Sequence, residues 1–254
     1  MGMHIGVSRW KTSLLLAVLL MTLSGCGVRP ISNSGYPEGR GASNPFYKGE
    51  LTEFDVLGIS LQHAIAEDEI AQSFSARQRI TLRKGAPVMV VQSGAPIPDE
   101  PMVQALARHF DVAVFSGVPL WSERTYGWRY EGEAPKKYAL ALRLAAAKGG
   151  DEKIVCYWGM LETAQTNFVT KTVSWVPVVG WVLPDESQHM RIRLKVAVVD
   201  VRNGSWDIFS PTPFDDTSMS GRLTRAGSDQ EQVALLKGKA YEAAVEGLVK
   251  RYVQ

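Results

Sequence analysis

The chain is poor in the residues that build metal and redox sites: its 254 residues hold two cysteines and four histidines. It has no Cys-x-x-Cys pair, no His-Glu-x-x-His zinc helix, no Gly-x-Ser-x-Gly elbow and no phosphate-cradling glycine loop. Each missing pattern removes a ready-made chemistry: dithiol exchange, zinc hydrolysis, serine acyl transfer, nucleotide binding. His63, His109 and His189 are far apart in sequence and show no metal-ligand spacing. Asp185-Glu186 and Asp215-Asp216 read as solvated turn residues, and Glu67-Asp68-Glu69 as the solvated face of a helix. No metal, cofactor or catalytic residue is expected on these grounds, and the reading leans away from an enzyme.

Long hydrophobic runs are also missing. The apolar core Leu14–Met21 falls well short of the about 20 residues of a spanning helix. Arg9 and Lys11 precede it and Leu23-Ser24-Gly25-Cys26 follows it, so residues 1–25 read as a secretory signal. The basic excess is slight, 28 basic residues against 26 acidic ones. Losing the signal removes Arg9 and Lys11 and no acid, which leaves 26 basic residues against 26 acidic ones. Nothing in that balance draws the protein to nucleic acid.

Leu23-Ser24-Gly25-Cys26 resembles the lipobox of bacterial lipoproteins: an aliphatic residue, two small residues, then cysteine. The resemblance implies that Cys26 becomes the first mature residue and carries the lipid, including palmitate, that binds the protein to a membrane. Gly27, rather than Asp, in the second mature position implies the outer membrane, with the protein facing the periplasm. Cys156 is then the one remaining thiol. It lies in the strand-like run Lys153–Trp158 and reads as a buried core residue.

Residues 26–50 are dominated by Gly, Pro, Ser and Asn, with few aliphatic side chains to bury. They are expected to form a flexible tether, reaching about 80 Å when extended. Residues 51–254 then make one periplasmic domain. Within it, a helix is expected in Leu61–Phe74. Pro87–Gln92 and Val112–Phe115 read as buried strands. Between them Asp99 caps a helix whose stripe is Val103, Leu106, Ala107 and Phe110. A second helix runs from Pro135 to Gly149-Gly150, with Tyr138, Leu142, Ala145 and Ala146 inward. Ile154–Leu161 and Met190–Val201 read as long strands. The second carries Ile192, Leu194, Val196 and Val198 on one face. Asn203-Gly204 predicts a type I′ hairpin turn to Trp206–Phe209. Ser228–Glu231 is a capping box, opening a terminal helix striped by Val233, Leu236, Ala240, Ala244, Leu248 and Tyr252. The expected class is α/β: a mixed sheet with βαβ units followed by antiparallel hairpins, helices packed on the sheet, and a C-terminal helix. Over roughly residues 85 to 254 this outline resembles periplasmic domains of the TolB N-terminal type. Those include the curli-secretion channel lipoprotein and the lipoprotein activators of penicillin-binding proteins.

Two segments stand out as surfaces. Trp121, Arg124, Tyr126, Trp128 and Arg129, with Tyr130, follow the second strand, at the edge where α/β sheets bind ligands. They either form a ligand loop that stacks a sugar or grips a carboxylate, or pack their rings on the sheet. The segment 170–186 is uncharged from Thr172 to Pro184 and contains Trp175, Val178, Val179, Trp181 and Val182. Three readings stand: it completes the core, it offers an apolar patch to a partner or a second copy, or its tryptophans enter a membrane interface. The function expected is that of a lipid-anchored accessory or assembly protein of the cell envelope, acting through protein–protein contacts. The alternatives are a periplasmic hydrolase of peptide or glycan, and an oligomeric secretion-channel lipoprotein.

Overall fold

The computed structural model describes residues 27–34, 44, 46–60, 64–119, 134–167, 186–220 and 225–253. Its centre is a ribbon of two long antiparallel strands, β4 (Lys153–Asn167) and β5 (Glu186–Asp200), in register from Lys153↔Asp200 to Asn167↔Glu186. Different neighbours flank the two halves of this ribbon. Along one half, β2 (Pro87–Ser93) pairs parallel with β4, β3 (Asp111–Gly117) pairs parallel with β2, and β6 (Trp206–Phe209) pairs antiparallel with β5. Along the other half, β1 (Gly27–Pro30) pairs antiparallel with β4 and β7 (Phe214–Ser220) antiparallel with β5. This is the mixed α/β sheet expected, with a parallel βαβ part and antiparallel hairpins.

Five helices complete the described residues: α1 (Glu53–Leu57), α2 (Glu67–Ala76), α3 (Glu100–Ala107), α4 (Ala134–Gly149) and α5 (Arg225–Tyr252). One face of the sheet offers Val88, Val90, Val155, Tyr157, Ile192, Leu194, Val196 and Val198 to α3 and α5. The other offers Met89, Val91, Ile154, Cys156 and Val199 to α1 and α4. Both faces are covered where β5 reads Val196-Ala197-Val198-Val199, so the polar alternation stops there and all four residues are buried. The expected stripe of α5 is buried throughout, and Tyr241 and Val245 join it.

Several expectations are corrected. The strand over 112–115 is not buried: β3 forms an edge, and Val114 and Phe115 are 50% and 39% exposed. Of the expected stripe of α3, Leu106 and Phe110 are buried, while Met102 and Ala105 take the inward places expected of Val103 and Ala107. Asp99 stands at the start of α3 without capping it by its side chain, which turns to α5 instead. The β5–β6 connection is a four-residue loop, Val201–Gly204, rather than a two-residue turn. The Asp200 amide donates to the Ser205 carbonyl, and the Asp200 carboxylate accepts from the amides of Arg202 and Asn203. The terminal helix begins at Arg225, ahead of the capping box.

The largest difference concerns the segment expected as a tether. Residues 27–30 form β1, and the single 3-10 turn Ile31–Asn33 that follows is packed into the domain. Ile31 is fully buried among core residues. It sits where β4 carries Gly159: a Cβ there would lie 2.5 Å from Ile31 Cδ1 and 2.7 Å from Leu194 Cδ2. Only glycine leaves room for the chain to cross the sheet at that point.

Candidate functional site

Strand alternation at the carboxyl end of β2 sends Gln92 to the α3/α5 side and Ser93 to the α1/α4 side. Each residue anchors a buried polar cluster, and the two clusters differ in how completely their groups are paired.

On the α3/α5 side, Gln92 is fully buried. Its Oε1 accepts from the Tyr157 hydroxyl at 2.6 Å and from the Asp99 amide at 2.6 Å. Its Nε2 donates to Ser32 Oγ at 3.2 Å, and that hydroxyl donates to the Ser93 carbonyl. Asp99 Oδ2 accepts from the Tyr241 hydroxyl and, at 3.0 Å, from Lys237 Nζ, which also reaches the Ser34 carbonyl at 3.2 Å. The Tyr157 and Tyr241 rings meet edge to face with centroids 5.7 Å apart. Burial pushes both phenols well above their ordinary range, with the Asp99 charge acting in the same sense. The Asn44 side chain donates to the Ser32 carbonyl at 3.1 Å, while the Asn44 amide donates to Asn33 Oδ1 at 2.9 Å. The cluster therefore joins the N-terminal segment, the end of β2, the start of α3 and helix α5. Its groups are spent on one another.

On the α1/α4 side, the Glu50 carboxyl stands beside Tyr47, Ser93 and Gly94. Burial pushes its pKa up to about 7, against hydrogen bonding from Ser93 and Tyr47 that acts the other way. Its Oε1 has no hydrogen-bond partner. Gly94, at φ +78°, lets the backbone pass this close, since a Cβ there would stand 2.6 Å from Glu50 Oε1. The Ser93 hydroxyl, 1% exposed, accepts from the Leu51 amide at 2.8 Å and donates to the Leu51 carbonyl at 3.4 Å. The Trp158 indole is a second donor to that carbonyl, at 2.7 Å. Burial raises the Cys156 thiol well above its ordinary range and the Glu50 charge adds to this, so Cys156 is a protonated core residue, as expected. The cluster holds one titratable carboxyl and no accessible nucleophile.

Away from both clusters, a cleft of about 500 Å³ is lined by Arg77, Arg79, Ile80, Trp206, Asp207 and Arg251. Its cationic character is partly engaged internally: the Arg251 guanidinium stacks 5.0 Å from the centre of the Phe209 ring.

Cys26, the loop residues Trp121, Arg124, Tyr126, Trp128 and Arg129, and the apolar residues Trp175, Val178, Val179, Trp181 and Val182 lie outside the described residues. Of the histidines, His63 also lies outside them; His109 ends the α3 region with its ring tilted against Phe110. No group of three or more potential metal ligands occurs among the described residues, and no helix among them is long and apolar enough to cross a membrane. Reading the sequence overlooked the Gln92 cluster. The signal for it was a glutamine closing the apolar run Val88–Val91, a polar group that must find partners when buried.

No curated protein matches the sequence. A family model does, the YafT bacterial lipoprotein, over residues 52–251, which spans most of the domain. The chain belongs to the YafT bacterial lipoprotein family.

Proposed function

We propose that this lipoprotein is anchored through lipid on Cys26 to the outer membrane and faces the periplasm. There it acts by protein–protein contact as an accessory or assembly factor of envelope machinery. The observation that carries this reading is strand β3. Among the described residues β2 is its one strand partner, so its outer edge offers a row of backbone donors and acceptors. Val114 and Phe115 expose apolar surface along it. Pairing of a partner strand with such an edge gives affinity through the main chain and specificity through side chains. Two features support binding over catalysis: the Gln92 cluster is internally satisfied, and Ser93 and Cys156 are closed to solvent. The segment 170–186, with Trp175, Val178, Val179, Trp181 and Val182, is a second contact surface in this reading; the chain leaves the ribbon at Asn167 and returns to it at Glu186.

The test is photo-crosslinking in cells. A photoreactive residue replaces Phe115 or Trp181 in the full lipoprotein, and a Cys26→Ala version serves as the unanchored control. The expected result is a discrete protein adduct from at least one position that diminishes when the anchor is lost. A stably folded protein giving no adduct from either position contradicts contact as the mode of action.

A further inference from the structure

We infer that the domain stands on the bilayer in one fixed orientation, with the Asn167/Glu186 end of the β4–β5 ribbon at the lipid headgroups and the Val201–Gly204 loop pointing away. The inference rests on the reading that Cys26 carries the lipid. It adds which surface of the domain meets the membrane.

The argument begins with one peptide bond. Cys26 is covalently joined to Gly27, so their Cα atoms are about 3.8 Å apart. Gly27 is the first residue of β1, in register with Thr163, and Pro30 is in register with Met160. Four residues of strand are followed at once by Ile31, fully buried against Gly159 and Leu194, and by Ser32 and Ser34, also buried. The Gln92 cluster then holds this stretch through Ser32 Oγ and the Ser34 carbonyl. Between the lipid-bearing residue and the core there is no slack comparable to the tether expected from composition.

Direction follows from register. β1 is antiparallel to β4, so the Gly27 end of β1 lies toward the Asn167 end of β4. β4 continues four residues past Thr163, to Asn167, a further reach of about 13 Å. Lipid chains attached next to Gly27 must enter the bilayer, which brings this end to the headgroup plane. Lys153 and Asp200, at the other end of the ribbon, lie about 33 Å from the Thr163 level.

Residue composition differs between the two ends in the same sense. Thr163-Ala164-Gln165-Thr166-Asn167 has no charged residue, and its partners Glu186–Met190 and, beyond them, Asp216–Ser220 of β7 hold two, Glu186 and Asp216. The other end holds the pairs Lys153–Asp200 at 2.8 Å and Arg83–Glu152 at 2.6 Å, with Arg143 donating to the Val201 and Arg202 carbonyls. An end with few charged residues suits a headgroup layer, and an end rich in ion pairs suits water.

The test uses the full lipidated protein reconstituted in vesicles of phosphatidylethanolamine and phosphatidylglycerol, with a fraction of lipid carrying a headgroup nitroxide. A small thiol-reactive fluorophore is placed in turn at T163C, Q165C and N203C. Cys156 is fully buried and does not compete for label. Flotation with the vesicles, lost in a Cys26→Ala control, establishes the anchor first. The expected result is several-fold stronger quenching at 163 and 165 than at 203. Having two probes at the near end guards against one poorly folding variant. Flotation with equal quenching at all three positions, or stronger quenching at 203, overturns the orientation while leaving the anchor intact. Failure to float overturns the anchor, and the orientation with it.

Discussion

The two faces of the sheet handle buried polarity differently at the same strand end. On one face Gln92, Tyr157, Asp99, Tyr241 and Lys237 pair with one another and with Ser32 and Ser34. On the other, less than one turn of strand away, the Glu50 carboxyl keeps an oxygen without a partner and titrates near neutrality. A closed network in a low-dielectric site fixes the segments that contribute to it. An open one leaves stability dependent on pH. Because the closed network includes Ser32 and Ser34, it also decides how firmly the N-terminal segment is held to the domain.

The largest effect is expected from Asp99→Ala. It leaves the Lys237 ammonium and the Tyr241 hydroxyl without their shared acceptor, between helix α5 and the N-terminal segment. Loss of one partner of a largely buried pair costs about 3 kcal/mol, measurable as a lower urea midpoint at unchanged slope. Ile31→Ala should come next, at about 2 kcal/mol, because the side chain it truncates is fully buried. If residues 27–34 were a tether, this variant would be indistinguishable from the parent.

The third effect belongs to the other face and has a distinct signature. Burial raises the Glu50 pKa from 4.5 to about 7 on folding. The contribution of this group is therefore fully present below the unfolded value of 4.5 and is lost as pH rises through about 7. Glu50→Gln removes the titration. Its stability should match the parent at pH 4, exceed it at pH 8, and vary less with pH between the two. Equal pH profiles for parent and variant would show that Glu50 is solvated rather than buried, and the contrast between the faces would disappear.

The sequence disclosed elements whose own periodicity marks them. The stripe of α5, the inward residues of β5 and the buried face of α4 were all readable, because each buries a face set by its own repeat. It disclosed poorly those elements that exist because a neighbour supplies the pairing. β7, with Phe214 followed by Asp, Asp, Thr, Ser, Met and Ser, has no apolar alternation and is ordered as a ladder partner of β5. β1 hides in a Gly- and Pro-rich stretch whose one deeply buried aliphatic, Ile31, fits only because β4 has a glycine opposite. The apolar run of β3 was readable as a strand, but its edge position depends on strand order, which composition does not encode. Helix α1 was the missed element with a local signal: Thr52 and Asp55 form a reciprocal capping box. Of the candidate site, Glu50 and Gln92 look ordinary in sequence. Their character comes from burial against residues distant in sequence: Glu50 meets Ser93 and Gly94, and Gln92 meets Ser32 and Tyr157.

The central claim is that residues 27–34, expected from composition to be a tether, belong to the folded domain. Hydrogen–deuterium exchange of the intact lipoprotein tests it most directly, by comparing a peptide covering residues 27–34 with one covering β2. The account predicts slow exchange in both, with protection of 27–34 falling selectively in Asp99→Ala. Exchange of 27–34 at the rate of an unstructured chain, while β2 stays protected, would contradict it and restore the flexible tether.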